Sequence, residues 1–471
     1  MPVLCLDCGA TNVRAIVVGD DGELLAKASQ PNATVPGAEC PDYHIWDDAH
    51  ILEQLAACSR EALKGVDPAT IRAVTITTFG VDGALVDKKG ELLYPVISWK
   101  CPRTAAVMKN IAKYIPQSRL NNLSGIGPFA FNTINKLIWL KENRPELLEK
   151  AHAWLFISNL LAYRLTGVMK TDRTMAGTSQ LTNIRTGEFS PIILGALDLD
   201  SSLFPPMVDA GKSIGPLTST GAATLGLPDT GIPVISTGHD TQFAVFGSGA
   251  EKNQPVLSSG TWEILMVRSE RAELGLEEYE AGATAELDAD PNLRNPGLQW
   301  IASGIIEWVK DTCYRGETYD AMDAEAAAIP PGSDGVRLIP DFLPTDTEPG
   351  AIKGLVLGRT RGHIYRAAME ALSLRLKGRL ARLEAVGGFR AENLLLVGGG
   401  SRNKIWTQMR ADILGLPILV SKVSESTVLG AAMFALAGAG IYTSPEAARQ
   451  AFHIGYDVYE PKDSYCLRRN Y

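Results

Sequence analysis

Apolar residues fall along this chain mostly in short runs, each closed by a small polar turn, with stretches of helical spacing between them. The first such unit joins Val3-Leu4-Cys5-Leu6 to Val13-Arg14-Ala15-Ile16-Val17-Val18 through Asp7-Cys8-Gly9-Ala10-Thr11-Asn12, which predicts a β-hairpin. A third antiparallel strand is expected over Glu23 to Ser29, after the turn Asp20-Asp21-Gly22. Apolar positions at Ile51, Leu52, Leu55, Ala56 and Leu63 predict a helix over 49–64 that ends near Gly65. Ile71 to Thr78 reads as a buried parallel strand that feeds Phe79-Gly80-Val81-Asp82-Gly83. Two helices separated by Arg144-Pro145 and a third stopped by Gly167 read as scaffold. A strand over Ile232 to Thr237 delivers Gly238-His239-Asp240-Thr241-Gln242. The alternation of strands and helices predicts an α/β fold with ligand loops at the strand ends.

The second part of the chain repeats the opening. Pro255 to Val267 is again strand, small turn and strand, with Ser259-Gly260-Thr261 at the tip. Two such hairpins heading two α/β halves would face each other and hold a polyphosphate between them. A long helix over 366–386 follows, with Met369, Leu372, Leu376, Leu380 and Leu383 on one face. Next come the strand Leu394 to Val397, the turn Gly398-Gly399-Gly400-Ser401-Arg402-Asn403 and a helix over 404–414. A helix of very small residues begins at Ser426-Thr427-Val428-Leu429-Gly430; it permits either close packing or a flat floor beneath a nucleobase. The polar stretch 247–255 is the expected boundary, giving domains 1–246 and 247–471.

With 471 residues the chain is too long for one core. A net charge of -8 argues against nucleic acid or an anionic membrane as partner. No apolar run is long enough to span a bilayer, and the immediate opening on a strand predicts no secretory signal. Seven cysteines, an odd number scattered from Cys5 to Cys466, form no disulfide framework and suit a reducing cytoplasm.

The chemistry gathers at the turns. Gly9 allows a positive φ and bare backbone approach, which let successive N–H groups of its turn point at an anion, with Thr11 and Asn12 adding donors and Arg14 neutralising charge. Asp7 is placed to hold a hydrated Mg²⁺. Trp99 and Arg103 supply the flat face and the donor fork that a sugar site uses, or else a packing tryptophan beside a surface arginine. Asp240, at the end of a strand, either caps the following helix or takes a proton in a reaction; His239 is structural or orients substrate. The glycines at 398–400 let a base or ribose approach bare backbone, although Asn403 stands where a dinucleotide fingerprint needs its last glycine. Two hairpins, an acid between them and a third glycine loop describe phosphoryl transfer from ATP to a sugar hydroxyl. In that reading the turns at Gly9 and Gly260 hold the phosphates, the loop 398–401 receives adenosine, and Asp240 is the base. Closure of two halves about 247–255 would exclude water.

These motifs resemble the FGGY carbohydrate kinase family over essentially the whole length: Asp7-x-Gly9 with Arg14, Trp99 to Thr104, Gly238-His239-Asp240, Ser259-Gly260-Thr261 and Gly398 to Ser401. The resemblance implies a two-domain actin/Hsp70/hexokinase-like (ribonuclease H-like) fold with a nucleotide cleft between the domains. It implies ATP and Mg²⁺ as cofactors, with the metal near Asp7 and Asp240. The general base would be Asp240; Thr11, Asn12, Arg14 and Thr261 would touch phosphate, and Gly399 and Gly400 the nucleotide, with Gly398 and Asn403 beside them. Sugar contacts would fall at Gly80, Asp82, Trp99, Arg103, His239 and Asn295. The wording of Thr77 to Ala84, Ser98 to Thr104 and Ser258 to Leu265 is similar to the branch that converts L-fuculose to its 1-phosphate in L-fucose breakdown. Many members carry threonine where Ala10 stands; alanine there resembles the deoxyketose kinases and removes one hydroxyl donor. Lys100-Cys101-Pro102 departs from the acidic residue of many pentulose kinases. Kinases for L-rhamnulose, L-xylulose or D-ribulose, and a non-catalytic sensor or assembly protein of the same fold, are the competing readings. The partners expected are a ketose and ATP, with no nucleic acid or membrane, and a homodimer is the assembly allowed for.

Overall fold

The computed structural model describes residues 1–343, 349–423 and 425–462. The opening run forms the strands Val3–Cys8 and Asn12–Val18, paired antiparallel with Asp7 opposite Arg14. They belong to a six-stranded sheet in the order Ser213–Pro216, Pro233–His239, Val74–Thr78, Val3–Cys8, Asn12–Val18, Leu24–Pro31. The strand Val3–Cys8 is buried throughout and runs parallel to Val74–Thr78, in keeping with its apolar run from Val3 to Leu6. The helix Asp48–Ala62 covers one face, its first turn capped by Asp47, which accepts from the His50 N–H.

The second sheet repeats this arrangement. Val256–Ser259 pairs antiparallel with Trp262–Met266 and parallel with Leu394–Val397. The full order is Ala283–Leu287, Arg294–Ile301, Trp262–Met266, Val256–Ser259, Leu394–Val397, Ile418–Ser421, Tyr456–Tyr459. In each sheet a hairpin thus lies beside a parallel strand that ends in a ligand-type loop. The long helix Arg361–Gly387 lies on this sheet and buries Met369, Leu372, Leu376, Leu380 and Leu383.

The sheets fall on either side of 247–255, but the chain crosses back. The helix Ser426–Gly438 packs under the first sheet, in one core with Val3, Cys5, Ile16, Phe243 and Phe246. Its small residues serve close packing rather than a nucleobase. A Cβ on Gly430 would lie 2.0 Å from the Phe243 carbonyl, and one on Gly247 would lie 1.9 Å from that of Ser426. All six cysteines among the described residues are free, while Cys466 lies outside them. No helix among the described residues is long and apolar enough to cross a membrane.

Candidate active site

The strand Pro233–His239 lies inside the first sheet, between Ser213–Pro216 and Val74–Thr78, and Asp240 opens the helix Asp240–Gly247 that follows. Asp240 Oδ1 accepts from the Thr241 N–H at 2.7 Å and from its hydroxyl at 3.3 Å. Its carboxyl is pushed above the usual carboxylate range by burial, against the opposing pull of His239 and Thr241. Asp240 and His239 line a cavity of about 380 Å³ whose wall comes from both sheets. Gly80, Val81 and Trp99 enter from the first half, and Ile264, Met266, Thr284 and Glu286 from the second. Ile126, Phe129 and Phe131 make one side apolar, the two phenylalanine rings stacked with centroids 5.0 Å apart.

The Gly80-Val81 turn is built for close approach. A Cβ on Gly80 would lie 2.9 Å from the His239 ring. Val81 has φ +64°, a strained conformation for a β-branched residue, and is held there by three hydrogen bonds. Its N–H donates to Thr178 Oγ1 at 3.0 Å; its carbonyl accepts from Thr133 Oγ1 at 2.8 Å and Lys136 Nζ at 2.9 Å.

Three residues expected at the sugar lie behind this surface. Asp82 is fully buried, and its carboxylate accepts from Trp46 Nε1 at 2.6 Å, the Trp99 N–H at 3.0 Å, and Lys136. It braces the loops that carry Val81 and Trp99 instead of lining the cavity. Arg103 is boxed by aromatics: its guanidinium sits 3.9 Å from the Tyr43 ring centre and 5.0 Å from that of Trp139, and donates to the Tyr94 hydroxyl at 2.9 Å. Asn295 is wholly buried and donates to Gln242. Of the expected sugar contacts, Gly80, Trp99 and His239 reach the cavity.

The phosphate turns also differ in detail from expectation. Gly9 has no positive φ; its N–H donates to the Asn12 carbonyl at 2.9 Å, and a Cβ would stand 3.0 Å from that oxygen. Of the two reasons expected for this glycine, close backbone approach holds and left-handed conformation does not. Thr11 and Asn12 are exposed at the tip, with Asn12 Nδ2 donating to Thr11 Oγ1 at 3.2 Å. Arg14 is not free for phosphate: it donates to Asp7 Oδ2 through Nε at 2.8 Å and to Glu425 Oε2 through Nη1 at 2.5 Å. The Asp7 carboxyl is raised to about 6 by burial, opposed by Arg14, with the charges of Asp240 and Glu425 adding to the rise.

The second hairpin reaches two cavities. Ile264 and Met266 face the one just described, while Gly260 and Thr261 line another of about 400 Å³. Gly399, Gly400, Asn403 and Trp406 line the latter together with Ile306 and Tyr319. Gly398 has φ +89°, and Gly398 and Gly400 lie so close to Ser259 that a Cβ would meet it at 2.7 Å and 2.1 Å. Nothing stands within 4 Å of where a Cβ on Gly399 would be. Asn403 caps the helix Lys404–Leu414, its Oδ1 accepting from the Trp406 N–H at 2.8 Å and its Nδ2 donating to Asp323 and Tyr365. The cap explains why asparagine stands in place of a fingerprint glycine.

The sequence reading missed Glu286, Lys136, Phe129 and Phe131. Glu286 carries the one visible signal, since the alternation Ala283-Thr284-Ala285-Glu286-Leu287 puts Thr284 and Glu286 on a single face.

The models for the FGGY family of carbohydrate kinases match the chain twice: the N-terminal domain over residues 2–247 and the C-terminal domain over residues 256–439. The chain is 53% identical over 461 residues to L-fuculokinase of Escherichia coli (strain K12), covering 98% of this chain and 97% of that protein. Identity to L-fuculokinase of Haemophilus influenzae is 46% over 459 residues, 95% of this chain and 97% of the relative. In structure it is similar to xylulose kinase from Rhodospirillum rubrum, with TM-score 0.88 at 23% identity, covering 98% of this chain and 95% of that one. Matched by the two domain models over most of its length and by relatives near half identical over nearly all of it, this chain belongs to the FGGY family of carbohydrate kinases.

Proposed function

We propose that the protein phosphorylates L-fuculose at O1 with ATP, giving L-fuculose 1-phosphate and ADP, with Asp240 as the general base. The observation that carries the substrate is the near-half identity, over almost the whole chain, to proteins named L-fuculokinase. The apolar side of the Asp240 cavity, made by Ile126, Phe129 and Phe131, suits the methyl end of a 6-deoxyketose.

In this reading the sugar lies between Gly80, Trp99 and His239 with O1 toward Asp240. Asp240 takes the O1 proton as the oxygen forms a bond to the γ-phosphorus; the bond from that phosphorus to the β–γ bridging oxygen breaks, and ADP leaves. Adenosine occupies the cavity at Gly399 and Trp406, and the tips at Thr11 and Thr261 hold the phosphates. Asp7 and Asp240 suit a hydrated Mg²⁺: Asp7 is buried, Asp240 is part-exposed at the cavity, and the charge of Asp240 pushes the Asp7 carboxyl up, a repulsion that a divalent cation relieves. When bound, Mg²⁺ would spread the charge of the transferring phosphoryl group. Division at 247–255 gives two halves that close to exclude water. The assembly-protein reading has no comparable support, because it leaves the acid and its cavity without a use.

The test is an ADP-release assay over L-fuculose, L-rhamnulose, L-xylulose and D-ribulose with a no-sugar control. L-fuculose is expected to give the highest kcat/KM. A methyl in an apolar slot is worth only about 1–3 kcal/mol, so weaker turnover of neighbouring ketoses is expected too. Highest kcat/KM on any other ketose of the panel would overturn the assignment. Thr11→Ala is expected to raise the KM for ATP by the same factor with every ketose in the panel. A loss confined to one sugar would move Thr11 to the acceptor site.

A further inference from the structure

Glu286 stands on the second sheet, yet its carboxylate faces residues of the first. Its Oε2 lies 3.1 Å from His239 Nδ1 and accepts from Gln242 Nε2 at 2.5 Å. Gln242 in turn accepts from Asn295, which sits directly opposite Glu286 on the neighbouring strand. The carboxylate is therefore fixed from its own sheet and through an amide relay. His239 is pinned from the other side: its backbone N–H donates to Thr174 Oγ1 at 2.8 Å, and Gly80 leaves just enough room for the ring. The opposite ring nitrogen, Nε2, is 3.5 Å from Asp240 Oδ1. Nδ1 is buried without a straight hydrogen bond, so the Glu286 contact is bent. An imidazole ring has two flipped orientations of similar cost. A carboxylate at Nδ1 selects one, because it requires the proton there and so leaves Nε2 beside Asp240.

We propose that Glu286 is a positioning residue for the acceptor sugar: it holds the His239 ring across the junction of the two halves so that Nε2 stands next to Asp240. This rests on the reading of Asp240 as the base. Glu286 comes from one half and His239 with Asp240 from the other, so the contact bridges the junction between them.

The experiment is steady-state kinetics of the full chain carrying Glu286→Ala, Glu286→Gln, His239→Ala, and Glu286→Ala with His239→Ala, with melting temperatures for each. Glu286→Ala is expected to lower kcat/KM for the ketose about tenfold or more while the KM for ATP stays unchanged. Glu286→Gln keeps an acceptor oxygen and is expected to recover most of that loss. In the His239→Ala background, Glu286→Ala is expected to cost nothing further. The proposal is overturned by wild-type ketose kinetics in Glu286→Ala, by additive losses in the double variant, or by equal losses toward ATP and ketose that glutamine does not rescue. If glutamate removal prevents folding, the Gln variant decides alone, a tenfold loss in it overturning the acceptor role. A wild-type protein that turns over no ketose would instead overturn the reading of the site, whatever the variants do.

Discussion

Asp240→Asn is expected to lower kcat by a factor of about 10² or more, with the KM for ATP nearly unchanged, in line with loss of a positioned base. The substitution is nearly isosteric, and the oxygen that accepts from Thr241 is retained, so the helix start at Asp240 keeps its hydrogen bond. What disappears is the capacity to take a proton. Single-turnover measurement separates this from a binding defect: the phosphoryl-transfer step itself should slow, while ATP saturates at the same concentration. Asp240→Ala should be slow as well, but it also removes the acceptor for both Thr241 hydrogen bonds, so it reports on the helix start and the base together. Unchanged turnover in the asparagine variant would take Asp240 out of the mechanism. The base would then have to be sought at Glu286, another carboxylate lining the same cavity.

What could be read from the sequence was the part of the site set by local chain geometry. A glycine turn between β-prone runs declares itself, so both hairpins, the loop at Gly398 and the strand delivering Asp240 were legible. The depth of a side chain was not. Asp82 and Arg103 sit in stretches that look like ligand loops, yet one is consumed by Lys136, Trp46 and Trp99 and the other by a box of aromatic rings. Whether a polar side chain faces a ligand or a partner depends on residues far along the chain; Lys136 lies 54 positions from Asp82. Arg14 gives the same lesson, since Glu425 arrives from near the other end of the sequence to bind it. Glu286 was missed because it lies in mid-strand with no turn to mark it, and only the approach of the second sheet to the end of Pro233–His239 brings it to His239. The small-residue helix at 426–438 shows the converse: its composition allowed close packing or a nucleobase floor, and only its partner, the helix at Asp240, decides for packing.

Lys136→Met is expected to destabilise the first half by about 3–5 kcal/mol, because it leaves the Asp82 carboxylate charged and buried with one donor gone. Both side chains of this pair are completely buried, so no solvent screens the loss. Trp46 Nε1 and the Trp99 N–H still donate to Asp82, but neither carries charge. The effect should be read as a shift in the first urea transition, since a chain built on two large sheets need not unfold in one step. Lys136→Met with Asp82→Asn removes both charges and is expected to regain much of the stability, as replacing a whole buried pair costs far less than breaking it. Stability and function then come apart. Lys136 also donates to the carbonyl of Val81, whose left-handed backbone lines the cavity beside Gly80. The double variant restores the charge balance but not that bond, so the KM for the ketose should stay raised while the urea midpoint recovers. If the double variant is as unstable as the single one, packing around the lysine stem, not its charge, holds this loop. If its KM recovers together with its stability, the Val81 turn needs no lysine, and the Thr133 and Thr178 bonds alone keep the strained residue in place.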